Sequence, residues 1–339
     1  MTLSPRTRLT GSLVLILGAL IGSPARAEEV VQLPDRPGKV ELKLGNLSFV
    51  AKDMALGAGE LAAVKGKLDQ LMKAIRTHAI FNPVKGYEGV IRGELASPHE
   101  CKETPCRTVR VAHQIAVRLG HYCKTAKGVS SKCGTLRGIT FTANQPIKVG
   151  YAVDGELKDD QGRPMLKEPK LVKTFAGVPL YENNLMVLIR TKRPFFLPVT
   201  REQYLRARLR KLAQEEGADQ PPLKMVRDKV QAELTRLTPA QRRSDAWAGD
   251  SPNLSGLTEP NAENSRRVVI HNPAFMDPRL PRTAIQLLTA EVTILYGGDA
   301  ALERPLTLQD EHVSAGDIRM SEFVRTFDFQ KLVALIDAR

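Results

Sequence analysis

From residue 109 to 119 apolar and polar positions alternate without a break. Val109, Val111, His113, Ile115, Val117 and Leu119 fall on one side of an extended chain, and Arg110, Ala112, Gln114, Ala116 and Arg118 on the other. Period-two order of this length predicts a long strand with one buried face. Residues 87–95 and 135–142 read the same way, so a three-strand antiparallel meander is expected. Upstream, Leu61, Val64, Leu68, Leu71 and Ile75 recur at intervals of three and four, with Lys65, Lys67, Asp69, Lys73 and Arg76 on other faces. That spacing predicts an amphipathic helix. Asn82-Pro83 is expected to end it, since a residue before proline is pushed out of the helical region. Residues 39–50 alternate and break at Gly45-Asn46, which predicts a hairpin.

The second half has a different texture. Residues 150–175 carry a turn signal at Asp159-Asp160-Gln161-Gly162 between short extended pieces. Residues 185–189 are continuously apolar and of strand length, the pattern of a sheet's interior. Thr200, with Gln203 three residues later, forms a capping box that opens a helix burying Leu205, Leu209 and Leu212. Gly217 and Pro221-Pro222 are expected to close it. A second helix carries Leu223, Val226, Val230, Leu234 and Leu237, and Thr238-Pro239-Ala240-Gln241 starts a third with proline at its first position. Residues 248–265 are rich in Gly, Ser, Pro and Asn and read as a flexible loop. Strands resume at 267–271 and 285–296, and Asp328 is placed to cap a last helix that turns Phe329, Leu332, Val333 and Ile336 inward.

These elements predict an α+β protein. The expected order is a β-rich domain over 28–199, a basic helical segment over 200–247, the loop at 248–265, and C-terminal strands and a helix over 266–339 packing on the rest. The first 27 residues do not belong to that fold. Arg6 and Arg8, an apolar run over 13–21 and Ala25-Arg26-Ala27 have the three-part order of a secretory signal peptide, too short in its apolar part to span a bilayer. Cleavage near Ala27 is therefore expected, leaving Glu28 first and a periplasmic or secreted protein. No later apolar run approaches the length of a spanning helix, so the remainder is expected not to be integral to a membrane.

Export changes how the cysteines are read. Cys101, Cys106, Cys123 and Cys133 are an even set in an oxidising compartment, where disulfides are the default. Cys101 and Cys106 flank the connection between the first two strands of the meander, and Cys123 and Cys133 flank the next. The expected pairs are therefore Cys101–Cys106 and Cys123–Cys133, stapling the sheet. Their spacings do not match the paired knuckles of zinc sites, although His99 and His121 lie close enough to keep a mixed site as the rival reading.

The formal net charge is +13, of which the leader contributes three. Residues 190–243 hold 14 Arg and Lys against 6 Asp and Glu. A local positive field attracts anionic partners in a salt-dependent way, and for an exported chain those are an anionic surface or an acidic protein. Nucleic acid is not expected, because aromatic residues are not interleaved with the charge. Arg206 and Arg210 stand one turn apart, away from the leucines. Arg201 and Arg208 fall close to the apolar stripe and Lys211 elsewhere, so a solvated face competes with an anion-binding surface formed by Arg201, Arg206, Arg210 and Lys211.

Familiar catalytic signatures are absent, with no nucleophile elbow, zinc-protease helix, phosphate-cradling loop or EF-hand. No cofactor or metal is implied. His113 and His121 share a strand face but stand roughly 26 Å apart at about 3.3 Å per residue, and His113 is expected as a hydrogen-bonded core residue. His99-Glu100, Asp310-Glu311-His312 and His271-Asn272-Pro273 could each supply a base, against readings as solvated loops and an Asn-Pro turn. Asp154, Glu156 and Asp160 meet calcium's needs only in part. Trp247 reads as a hydrophobic anchor or a stacking platform. The expected function is that of a non-enzymatic binding protein. The alternatives are a secreted hydrolase drawing on His271, His312 and neighbouring acids, and a binder of anionic lipid headgroups or polysaccharide through residues 190–243.

Overall fold

The structure is a computed structural model. It describes residues 31–96, 110–130, 133, 137–145, 150–153, 157–175, 177–190, 193–215, 220–249, 255–293, 302, 304–311 and 313–337. Residues 1–27, expected as a leader, Cys101 and Cys106 with His99 and Glu100, Asp154, Glu156 and His312 lie outside the described residues, so the expectations attached to them do too.

The described chain begins with β1 (Val31–Gln32) and β2 (Val40–Leu44), then α1 (Ser48–Asp53) and α2 (Ala58–Arg76). β3 (Tyr87–Leu95) and β4 (His113–His121) follow. A small hairpin of β5 (Cys123–Thr125) and β6 (Gly128–Ser130) then precedes β7 (Arg137–Ala143). Short strands come next: β8 (Tyr151–Ala152), β9 (Leu166–Lys167), β10 (Leu171–Phe175), β11 (Val178–Tyr181), β12 (Leu185–Leu188) and β13 (Phe196–Pro198). Three helices stand together, α3 (Arg201–Gln214), α4 (Pro221–Arg236) and α5 (Pro239–Arg243). The chain continues through β14 (Trp247–Ala248), β15 (Arg266–His271) and β16 (Leu288–Thr293) to α6 (Ala315–Thr326) and α7 (Gln330–Val333).

Two sheets organise the molecule. The larger runs β10-β11-β12-β16-β7-β4-β3-β2 and is antiparallel except for β2 and β3. The smaller runs β13-β15-β9-β8, with β14 also on β15, and a third sheet joins β1, β5 and β6. Alternation along the strands decides what covers each face. Ile115, Val117 and Leu119 of β4, Ile139 and Phe141 of β7, and Leu288, Ala290 and Val292 of β16 point into a main core completed by α2, α6 and α7. On the opposite face Val187 and Leu287 meet Leu166, Phe196, Val269 and Phe275, which join the two sheets. Val268 and Ile270 of β15 then face Tyr204, Leu205, Val230 and Leu234 of α3 and α4 in a second core. The layers are thus helices, large sheet, small sheet, helices, an α+β architecture.

The meander is present as β3, β4 and β7, and Cys123 pairs with Cys133 across a Cα separation of 5.9 Å. The apolar run 185–189 is explained by its place: Met186 and Leu188 enter the main core while Val187 enters the seam between sheets. Two local expectations fail. Residues 39–50 do not form a hairpin. β2 lies parallel to β3, a pairing that requires a crossover, and α1 and α2 supply it. Gly45-Asn46 is instead the entry to α1, where Asn46 Oδ1 accepts the Ser48 N–H at 3.0 Å. Likewise α2 stops at Arg76 rather than at Asn82, because His78 starts a short 3-10 turn over Ala79–Phe81.

Candidate functional site

The basic segment folds into α3, α4 and α5 because each start is fixed locally. Thr200 Oγ1 accepts the Gln203 N–H at 3.2 Å while Gln203 Oε1 accepts the Thr200 N–H at 2.9 Å. Thr238 and Gln241 repeat the arrangement at the head of α5, and two prolines open α4. Tyr204, Leu205, Ala207 and Leu212 face the second core, so the opposite side of α3 is left to its arginines. Where that side meets α4 and α5 there is an open groove of about 450 Å³, floored by Leu209 and Leu234 and walled by Arg206, Arg210 and Arg242. Gln231 and Thr235 of α4 complete it.

The three guanidinium groups are held differently. Arg206 donates from Nε and Nη2 to Glu202 Oε1 at 3.0 and 2.7 Å. Arg210 pairs with Asp160 Oδ1 at 2.6 Å and donates to the Lys158 carbonyl at 3.3 Å. Arg242 has neutral partners, donating to the carbonyl oxygens of Leu237 and Leu234 at 3.2 and 3.3 Å. Those carbonyls close α4, where the helix dipole is negative, so Arg242 orients by capping and adds a charge that neither carbonyl neutralises. Three positive groups thus face two carboxylates. Asp160 is largely exposed, and solvent screening weakens such pairs.

Arg206 and Arg210 therefore come together as the helical spacing implies. Arg201 and Lys211 do not join them. Arg201 is only 15% exposed and turns toward Glu259 at 3.5 Å, and Lys211 lies 3.9 Å from Glu215. Arg242 escaped sequence reasoning. Its only signal was the Thr238–Gln241 capping box, which says that a helix starts there but not that it folds back against α3.

His78 and His271 are held by structural contacts. His78 Nδ1 accepts the Ile80 N–H at 3.3 Å and its Nε2 meets Thr326 Oγ1 at 3.0 Å; burial lowers its pKa. His113 is buried as expected, but it is not hydrogen-bonded. Neither ring nitrogen has a partner among the described residues, a consequence of standing on an inward face lined by apolar side chains. His271 stacks on Phe196 with ring centroids 5.7 Å apart, and Asn272 caps a 3-10 turn by accepting the Ala274 N–H, so the Asn-Pro turn is what the structure contains. Asp310 is bound by Arg304 and by the Thr307 N–H, and the guanidinium holds its carboxyl well below the usual carboxylate range. Asp159, not Asp160, organises the 159–162 turn, accepting from the Gln161 and Arg163 N–H groups. Trp247 is half-buried on β14.

A second cavity, of about 250 Å³, opens between Glu182, Asn183, Thr289 and Glu291. Its Glu182 is already engaged, accepting the Lys170 N–H at 3.0 Å and pairing with Arg266 at 3.3 Å. No cluster of three or more metal-ligating His, Cys, Asp or Glu occurs among the described residues. No protein-family model, curated protein or solved structure matches the chain.

Proposed function

We propose that the chain is an exported protein that acts by binding, and that it takes an anionic ligand in the groove between α3, α4 and α5. The export reading rests on the three-part leader over residues 1–27. The observation that carries the binding reading is the convergence of Arg206, Arg210 and Arg242 on one groove with fewer carboxylates than guanidiniums around it. Leu209 and Leu234 give the ligand an apolar floor, and planar guanidinium groups match the oxygen geometry of carboxylate, phosphate or sulfate.

Retention on immobilised heparin tests the reading. The protein is expected to bind at low salt and to elute between about 0.1 and 0.5 M, where the screening length falls from about 10 Å to about 4 Å. Arg206→Gln with Arg210→Gln is expected to elute at clearly lower salt. A control pair with the same charge loss, Lys65→Gln with Lys124→Gln on exposed sites elsewhere, is expected to elute near the parent. Equal shifts for both pairs would mean that net charge alone drives retention, and the groove would lose its assignment.

A further inference from the structure

The large sheet ends on β2, and among the described residues no strand pairs with its outer edge. The Lys39 carbonyl accepts the Gly89 N–H and the Gly45 N–H donates to the Gly93 carbonyl, both toward β3. Backbone groups alternate in direction along a strand, so Lys39, Glu41, Lys43 and Gly45 face β3. Val40, Leu42 and Leu44 therefore present their N–H and C=O groups outward. Leu42 and Leu44 are also 43% and 47% exposed, and Phe49 on the following helix is 73% exposed. An edge with free backbone groups and apolar side chains is a template for another strand.

The sequence of that edge, Val40-Glu41-Leu42-Lys43-Leu44, is complementary to itself when reversed. In an antiparallel pair centred on Leu42, Leu42 meets Leu42 of the second copy, Val40 meets Leu44, and Glu41 meets Lys43. The outward backbone groups are those that such a pair uses, since Val40, Leu42 and Leu44 all fall in hydrogen-bonded positions and form about six bonds. Glu41 and Lys43 fall in the intervening positions, where Cα atoms approach to about 4.5 Å and opposite charges attract. Moving the centre by one residue puts Glu41 opposite Glu41, or Lys43 opposite Lys43. The charges thus disfavour both neighbouring registers, and centring on Leu42 keeps all five residues of the strand paired.

We propose that β2 is a homodimer interface, through which a second copy of this chain adds to the sheet edge by two-fold antiparallel pairing centred on Leu42. The contact is isologous and closed, joining two eight-stranded sheets into one and limiting assembly to a dimer. The opposite edge does not offer this. β10 reads Leu171-Val172-Lys173-Thr174-Phe175, and pairing about its middle residue sets Lys173 against Lys173.

Sedimentation velocity on the purified full-length protein tests the proposal. A dimer is expected at about 50 µM. Glu41→Lys and Lys43→Glu each replace two attractive cross-strand pairs by repulsive ones, and each is expected to weaken dimerisation about tenfold or more. Both positions lie on the solvent side of the edge strand, and unchanged circular dichroism is expected to show an intact fold. An equimolar mixture of the two variants restores opposite charges at both positions and is expected to recover the dimer. A parent that remains monomeric at about 100 µM, single variants that dimerise as well as the parent, or a mixture that stays monomeric would each overturn the proposal.

Discussion

His113 sits on the inward face of β4 at 1% exposure, with both ring nitrogens unpartnered among the described residues. An imidazolium there would lose its hydration, so burial pushes the pKa from 6.5 down to about 4; Asp337 opposes that and Lys67 adds to it, each by less. The unfolded chain binds the proton near pH 6.5 and the folded one only near 4. Stability from the neutral ring is therefore complete above pH 6.5 and is lost as pH falls toward 4, by roughly 3 kcal/mol over the whole interval. His78 acts in the same direction, because its lowered pKa is also due first to burial. Glu60, held below its usual value first by its hydrogen bond to Arg282, begins to lose stability only as pH falls through the ordinary carboxylate value of 4.5, so the interval from pH 7 to 5.5 reports chiefly the histidines. Urea unfolding at pH 7, 5.5 and 4 checks this. His113→Leu is expected to be neutral or stabilising at pH 7, since it removes an unsatisfied polar group, and to flatten most of the acid slope. A slope unchanged in His113→Leu would show that other groups set the acid sensitivity.

At the level of elements, α3 carries two of the three groove arginines, and its start depends on the reciprocal Thr200–Gln203 pair. Thr200→Ala leaves the Gln203 N–H without its side-chain acceptor and is expected to cost about 1 kcal/mol in thermal or urea unfolding, while Thr200→Ser retains the cap. Equal losses in both variants would show that packing of the methyl group, not capping, is what matters. The same local logic explains which elements were legible. α2, α3, α4, α5 and the long strands announce themselves through periodicity, caps and prolines lying within a few residues of one another. α6 did not, although Ser314 and Asp317 form a capping box, because its first turn contains Gly316 and its buried face includes Asp317 and Ser321, which read as polar surface. β2 carried the right period but the wrong partner. Alternation identifies a strand, whereas parallel pairing with β3 depends on the crossover that α1 and α2 supply.

Across the whole molecule the joining of parts is the feature least visible in sequence. β16 lies between β12 and β7, about a hundred and fifty residues after β7, and nothing within its own six residues names those neighbours. The groove shares this property, for Arg242 reaches Arg206 and Arg210 only through the fold-back of α5. The layered arrangement has an energetic consequence. The main core and the core beneath α3 and α4 are each extensive, but the seam between the sheets rests on a small cluster including Leu166, Val187, Phe196 and Val269. Parts joined through few apolar contacts open separately. Native-state hydrogen exchange is therefore expected to show greatest protection in β16, β7 and β4, at the centre of the large sheet. α3, α4 and the small sheet should exchange through an opening of lower free energy. Leu166→Ala, which empties volume at the seam, is expected to lower protection of that second unit by about 2–4 kcal/mol while leaving β4 and β7 nearly unchanged. An equal fall in every strand would instead mean that the two sheets unfold as one cooperative body, with the seam as strong as either core.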